Sequence, residues 1–170
     1  SNLFEVVGCI RSDPKIGYPD LQLTILPLGV NFEDWTPLKQ HAFSIHLGLM
    51  RPYSKGEVKL SSKNPKKSPE ILINYLKDNR DLKSLANGIN IVRHILNQSA
   101  FNGLKGSEIF PGDQLRSNQE LEHALSANVS SQWHLTGTAK MGASTDKNAV
   151  VNTSGQVYGI ENLRVVDASI

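Results

Sequence analysis

One of the five histidines in this 170-residue chain stands apart from the other four. His134 follows Trp133 and opens the run Leu135-Thr136-Gly137-Thr138, and small residues crowd behind it: Ala139, Gly142, Ala143 and Ser144. Imidazole takes or gives a proton near neutral pH. A loop of small residues lets backbone come close to something flat or large. Together they suit a general base held at the edge of a close-packed cavity. The competing reading is a core histidine bonded to a backbone carbonyl. His41, His46, His94 and His123 lack a carboxylate or cysteine partner at metal-ligand spacing, so structural or surface roles are expected for them and no metal site. Cys9 is the single cysteine, and it lies among Val6, Val7, Gly8 and Ile10. It reads as a buried small hydrophobe rather than a nucleophile, and alone it forms no intrachain disulfide.

These residues need elements to hold them. The first third reads as strands. Leu21, Leu23 and Ile25 alternate with Gln22 and Thr24, and Phe43, Ile45, Leu47 and Leu49 alternate with Ser44, His46 and Gly48. Val58 and Leu60 alternate with Lys59 and Ser61. Period two predicts one buried and one wetter face for each. Pro52-Tyr53-Ser54-Lys55-Gly56 is a turn signal and predicts a hairpin between the last two runs. A further strand is expected within 71–75. The middle is helical: Leu82, Leu85, Ile89, Val92 and Leu96 fall on one helical face, with Asp78 or Asn79 as cap. Gly88 inside it costs about 1 kcal/mol against alanine. Ser117 and Glu120 form a capping box for a second helix. Strands first and helices after predict an α+β fold, a mixed or antiparallel sheet flanked by helices. The last third is glycine-rich loop with short strand-like pieces at 149–151 and 163–166.

The run His134-Leu135-Thr136-Gly137-Thr138-Ala139-Lys140-Met141-Gly142 resembles the H-x-x-G-T-x-x-M-G motif of the glucose–methanol–choline (GMC) oxidoreductases. Val150-Val151-Asn152 and the stretch from Val157 to Ile170, including Val166-Asp167-Ala168-Ser169, resemble the family's sequence beyond that motif. Asn2-Leu3-Phe4-Glu5, Pro19-Asp20-Leu21-Gln22, Met50-Arg51-Pro52 and Asn74-Tyr75-Leu76 fit earlier segments in the right order. The resemblance spans nearly the whole chain, and its flavour is choline-dehydrogenase-like or animal glucose-dehydrogenase-like.

The resemblance implies a function. The family binds FAD and oxidises the CH–OH group of an alcohol to a carbonyl, a histidine taking the hydroxyl proton while hydride passes to the flavin. His134 is the matching base. Asp167 and Ala168 match the loop that approaches the flavin's ribityl and pyrophosphate region, with the Ala168 N–H as a donor. For Asp167 the alternative is a turn or cap residue. Trp133 would wall the flavin or substrate cavity, or pack in the core. Glu5 matches a glutamate that can face a cationic substrate head; an internal ion pair or hydrogen bond is its competing role. By the same resemblance, residues 1–133 form a substrate-binding domain, and residues 134–170 form the active-site loop and return into the FAD-binding domain. The expected partners are a small-molecule alcohol and the rest of that FAD domain.

Charge and length agree with this. The net charge of +2, from 18 basic and 16 acidic residues, is too even to suggest nucleic acid. The run Lys63 to Lys67, broken by Asn64 and Pro65, reads as a solvated loop. No apolar stretch approaches a membrane span. Some parts of the family pattern are missing. There is no G-x-G-x-x-G, and the family's second active-site His or Asn would fall past Ile170. Leu135 stands where relatives often have proline, and Asn152-Thr153 where Asp-Pro is common. The chain therefore reads as a piece of a longer enzyme and is not expected to turn over by itself. Two alternatives remain: a lyase of the same fold without net redox, and a non-catalytic module or decayed paralogue.

Overall fold

A computed structural model describes residues 4–31 and 34–170, so Asn2 and Leu3 of the family-like opening lie outside the described residues. The chain divides into two compact units, Ser1–Lys55 with Asn74–Val129, and Gly56–Ile73 with Ser130–Ile170.

The first unit is a sheet with helices stacked on it. Strands β1 (Val6–Ile10), β2 (Leu21–Leu26) and β3 (Ser44–Leu49) pair antiparallel in the order β1-β2-β3. Ile10, Leu21 and Leu49 align across the three strands, as do Gly8, Leu23 and Leu47. This face meets helix α1 (Asn79–Leu96), and α2 (Asn118–Ser126) packs on α1. The core joins Leu21 of the sheet to Leu85, Ala86 and Ile89 of α1 and to Leu121 and Leu125 of α2. The α+β architecture expected from the sequence is therefore present, with its sheet wholly antiparallel.

Local signals explain both helices. Asp78 caps α1 by accepting from the Arg80 amide at 3.0 Å, which satisfies one of the orphan donors of a helix start. Arg93 and His94 fall in the last turn, where positive charge meets the negative end of the helix dipole. Gly88 sits against the sheet: a Cβ there would lie 2.7 Å from Leu21 Cδ1. For α2 the capping box is complete, with Ser117 Oγ accepting from the Glu120 amide and the Glu120 carboxylate accepting from the Ser117 amide. Between the helices, the Arg93 guanidinium donates to both carboxylate oxygens of Glu108, at 2.8 and 2.7 Å, and to the carbonyls of Gly112 and Leu115.

Three expectations change in this unit. The segment from Pro52 makes no hairpin: β3 pairs with β2, and the next strand along the chain pairs elsewhere. Instead the Tyr53 and Ser54 amides each donate at 2.8 Å to the carboxylate of Asp81, in the first turn of α1, and the Asp78 amide donates to Ser54 Oγ at 2.9 Å. Asp81 is only 1% exposed, so the turn docks the chain onto a helix start. Cys9 is exposed rather than buried. Ile10 packs on the core, and successive strand residues point to opposite faces, so Cys9 faces away from the helices. Alternation in β2 is also imperfect, since Thr24 is buried while Leu23 and Ile25 are half-buried.

The second unit holds a two-stranded antiparallel ribbon, β4 (Glu57–Lys59) and β5 (Glu70–Leu72), with Val58 opposite Ile71. Both strands are exposed throughout, and Leu60 just beyond β4 is 90% exposed. The buried face expected from the alternation there is absent, because two strands alone cover neither side of their ribbon. The lysine-rich connection between them is an exposed turn, in which Asn64 Oδ1 accepts from the Lys66 amide. No helix among the described residues is long and apolar enough to cross a membrane.

Candidate active site

The tail of the second unit has little regular structure and is held by backbone hydrogen bonds around one buried residue. Val151 is fully buried and bridges Met141 on one side and Val157 on the other. The Val150 amide donates to Lys140 O at 2.8 Å, the Gly142 amide to Val151 O at 3.0 Å and the Val165 amide to Gly155 O at 2.9 Å. Isolated bridges thus replace the strands expected at 149–151 and 163–166. Asn152, where Asp is common in the family, does an aspartate's work: its Oδ1 accepts from the Ser154 and Gln156 amides, at 2.9 and 3.0 Å, and shapes the turn. Gly155 at φ +71° packs where a Cβ would stand 3.0 Å from Val165 O. Tyr158 ties the far side by donating to Gly142 O at 2.9 Å.

The loop carrying His134 leaves this scaffold at one end and rejoins it at the other. At its start the Trp133 amide donates to Ser131 Oγ at 2.8 Å, and Trp133 takes φ +58°, a left-handed conformation uncommon for a bulky residue. At its end the Ala139 amide donates to Ser169 O at 2.7 Å. Residues 132–138 between these anchors are all exposed, Trp133 by 76%. The His134 ring makes no hydrogen bond to any described residue, and neither it nor Trp133 is buried within this chain. Gly137 takes φ +84° with open space where a Cβ would project.

The bond from Ala139 to Ser169 brings the His134 loop beside the Asp167-Ala168 stretch. Asp167 Oδ1 accepts from the Ser169 amide at 2.8 Å and also from the Ser169 hydroxyl. These bonds, the hydroxyl's first, hold the Asp167 carboxyl below its usual range. Asp167 thus holds a local side-chain turn with Ser169. Ala168 is exposed, and its N–H donates to no described residue. An exposed alanine amide, a glycine facing open space and an exposed tryptophan in one unit fit a large, flat, partly anionic group such as FAD. Glu5 belongs to the first unit, where its amide donates to Ile25 O at 3.3 Å and prolongs the pairing of β1 with β2.

Two features escape sequence reasoning. Ser169 is not among the expected site residues, although an Asp-x-Ser spacing is a signature of a local side-chain turn. In the first unit, Trp35 and His46 lie with ring centroids 5.4 Å apart, and burial pushes the His46 imidazole pKa down. Their separation in sequence gives no local signal. Among the described residues no group of three metal-ligating side chains converges.

Comparison with known proteins places the chain. A GMC oxidoreductase family model matches residues 52–170. An oxygen-dependent choline dehydrogenase of Chromohalobacter salexigens is 37% identical over the whole chain, which spans 30% of that protein. Pyridoxine 4-oxidase from Mesorbium loti superposes with a TM-score of 0.85 at 26% identity, over 99% of this chain and 33% of that one. Aspergillus oryzae formate oxidase, studied for its FAD modification, gives 0.84 at 26% identity over 99% of this chain and 34% of that one. FAD, the cofactor implied by the sequence, agrees with that neighbour, and the choline-dehydrogenase-like flavour agrees with the relative. With a family model over most of its length and a relative at this identity from end to end, the chain belongs to the GMC oxidoreductase family.

Proposed function

We propose that the chain is the substrate-facing and active-site-loop part of an FAD-dependent enzyme that oxidises an alcohol to a carbonyl, with His134 as general base. The observation that carries this reading is the placement of His134: exposed, free of hydrogen bonds to the described residues, and on a loop tied through Ala139 to the Asp167-Ala168 stretch. Residues 1–133 would supply the substrate-binding region, and residues 134–170 the loop and the return into the FAD domain. Turnover is proposed for the whole enzyme, since the chain spans 30% of the relative it matches; the 170 residues alone would be inactive.

Unprotonated imidazole accepts the hydroxyl proton of the substrate. Losing that proton raises electron density on oxygen, so the carbonyl forms as hydride departs from carbon. FAD supplies the two-electron acceptor for that hydride. With FAD bound, the Ala168 N–H would be a donor for the cofactor's polar chain, Gly137 would let the loop approach it closely, and Trp133 would shield the reacting atoms from water. Choline is the first substrate to try, on the strength of the relative's name. Glu5 would then face its ammonium, where a carboxylate offsets the charge. Replacing His134 by alanine in the whole enzyme should lower kcat with choline by about 10²–10⁴-fold while flavin stays bound. Unchanged turnover would sink the base assignment.

A further inference from the structure

The clasp at Asp167 and Ser169 does more than end the chain's last turn. One carboxylate oxygen of Asp167 receives both the amide and the hydroxyl of Ser169, and the Ile170 amide donates to Asp167 O at 3.2 Å. The Ser169 carbonyl shares a planar peptide with that Ile170 amide, so the three bonds together aim it in one direction. That carbonyl is the acceptor for Ala139, the first residue after the exposed loop. The other anchor of the loop is Ser131 Oγ, which accepts from the Trp133 amide. Between the two anchors, the amides of residues 134–138 donate to no described residue. The reach of the His134 ring is therefore set by the anchors and not by contacts of its own.

We propose that Asp167 and Ser169 are positioning residues for His134. Their clasp aims the Ser169 carbonyl, which fixes Ala139 and so registers the base against the flavin-facing backbone at Ala168. The inference rests on the proposed roles of His134 and Ala168. It assigns the Asp167 carboxylate to the clasp rather than to direct contact with the cofactor.

The test uses the whole enzyme with choline as substrate, and Ser169→Ala, Asp167→Ala and Ser169→Thr as variants. Ser169→Ala and Asp167→Ala should each lower kcat by about 10- to 100-fold, the scale of a misplacement near 1 Å. KM should change little and flavin content not at all. Ser169→Thr keeps the hydroxyl and should recover most of the rate. Hydrogen exchange over the peptide 134–140, which needs no turnover, should quicken by about tenfold in the two alanine variants as the Ala139 bond loosens. Wild-type kcat in Ser169→Ala, or unchanged exchange in both alanine variants, would overturn the proposal. Loss of flavin in Asp167→Ala with Ala139 still protected would also overturn it, by making Asp167 a cofactor ligand. His134→Ala, run alongside, keeps the two readings separable: wild-type turnover there refutes the base, while the exchange data still judge the clasp.

Discussion

Replacing Gly88 by alanine sets two effects of opposite sign against each other. Inside α1, alanine is favoured over glycine by about 1 kcal/mol. Here, however, the new Cβ would stand 2.7 Å from Leu21 Cδ1, and 3.3 and 3.4 Å from the two δ-methyls of Leu47. Leu21 is wholly buried and belongs to the central strand of its sheet. Its methyl can withdraw only by leaving its rotamer, at roughly 0.5–1.5 kcal/mol, or by lifting helix from sheet. Overpacking of this kind costs about 1–3 kcal/mol. The net expectation is destabilisation by up to about 2 kcal/mol once the propensity gain is subtracted. Since α1 and α2 both lie in this unit, far-UV circular dichroism during a urea titration reads its unfolding. The midpoint should fall with the slope unchanged. Leu21→Val removes the crowded δ-methyl, so it should cost less in the Gly88→Ala background than in the parent, by about 1 kcal/mol. A Gly88→Ala protein more stable than the parent by about 1 kcal/mol would refute the packing argument and leave propensity alone in control.

Asp81→Ala should cost about 2–4 kcal/mol in the same titration, because it strands the Tyr53 and Ser54 amides and removes a negative charge from the positive end of α1. A loss below about 1 kcal/mol would mean that water replaces the carboxylate at little cost. The acid limb of stability carries a further test. Asp78 is held at about 2, from the usual 3.8, first by the Arg80 side chain and then by the Arg80 amide. Its contribution is therefore whole above the unfolded value near 4 and is lost as pH falls toward about 2. Asp78→Ser keeps a capping oxygen without a titrating group and should shrink the loss of helicity over that window; superimposable acid curves would contradict it.

Legibility in the sequence tracks distance along the chain. The capping box of Ser117 and Glu120 can be read because both partners lie within one turn. The face of Leu82, Leu85 and Ile89 can be read because a helix repeats locally. The turn at Tyr53 and Ser54 reads wrongly as a hairpin because the carboxylate that captures it belongs to Asp81, well down the chain. The exposure of Cys9 turns on which face of β1 the helices cover, which period-two patterning cannot choose when residues on both sides are apolar. For the site, the motif around His134 locates the loop, and family order supplies Asp167 and Ala168. The bond between Ala139 and Ser169 stays hidden, since it is a backbone contact that side-chain identity does not encode.

That same bond makes the intervening chain a closed circuit. With its ends pinned together, a change in the length of the segment between Ala139 and Ser169 need not travel to His134. The exposed turn at 159–162, where Gly159 and Asn162 both take left-handed φ, is the natural place for such a change. Doubling a flexible loop adds only about 0.6 kcal/mol of closure entropy. Insertions grafted at this turn would leave the His134 loop in register, which makes the turn the place to try tags or spectroscopic labels.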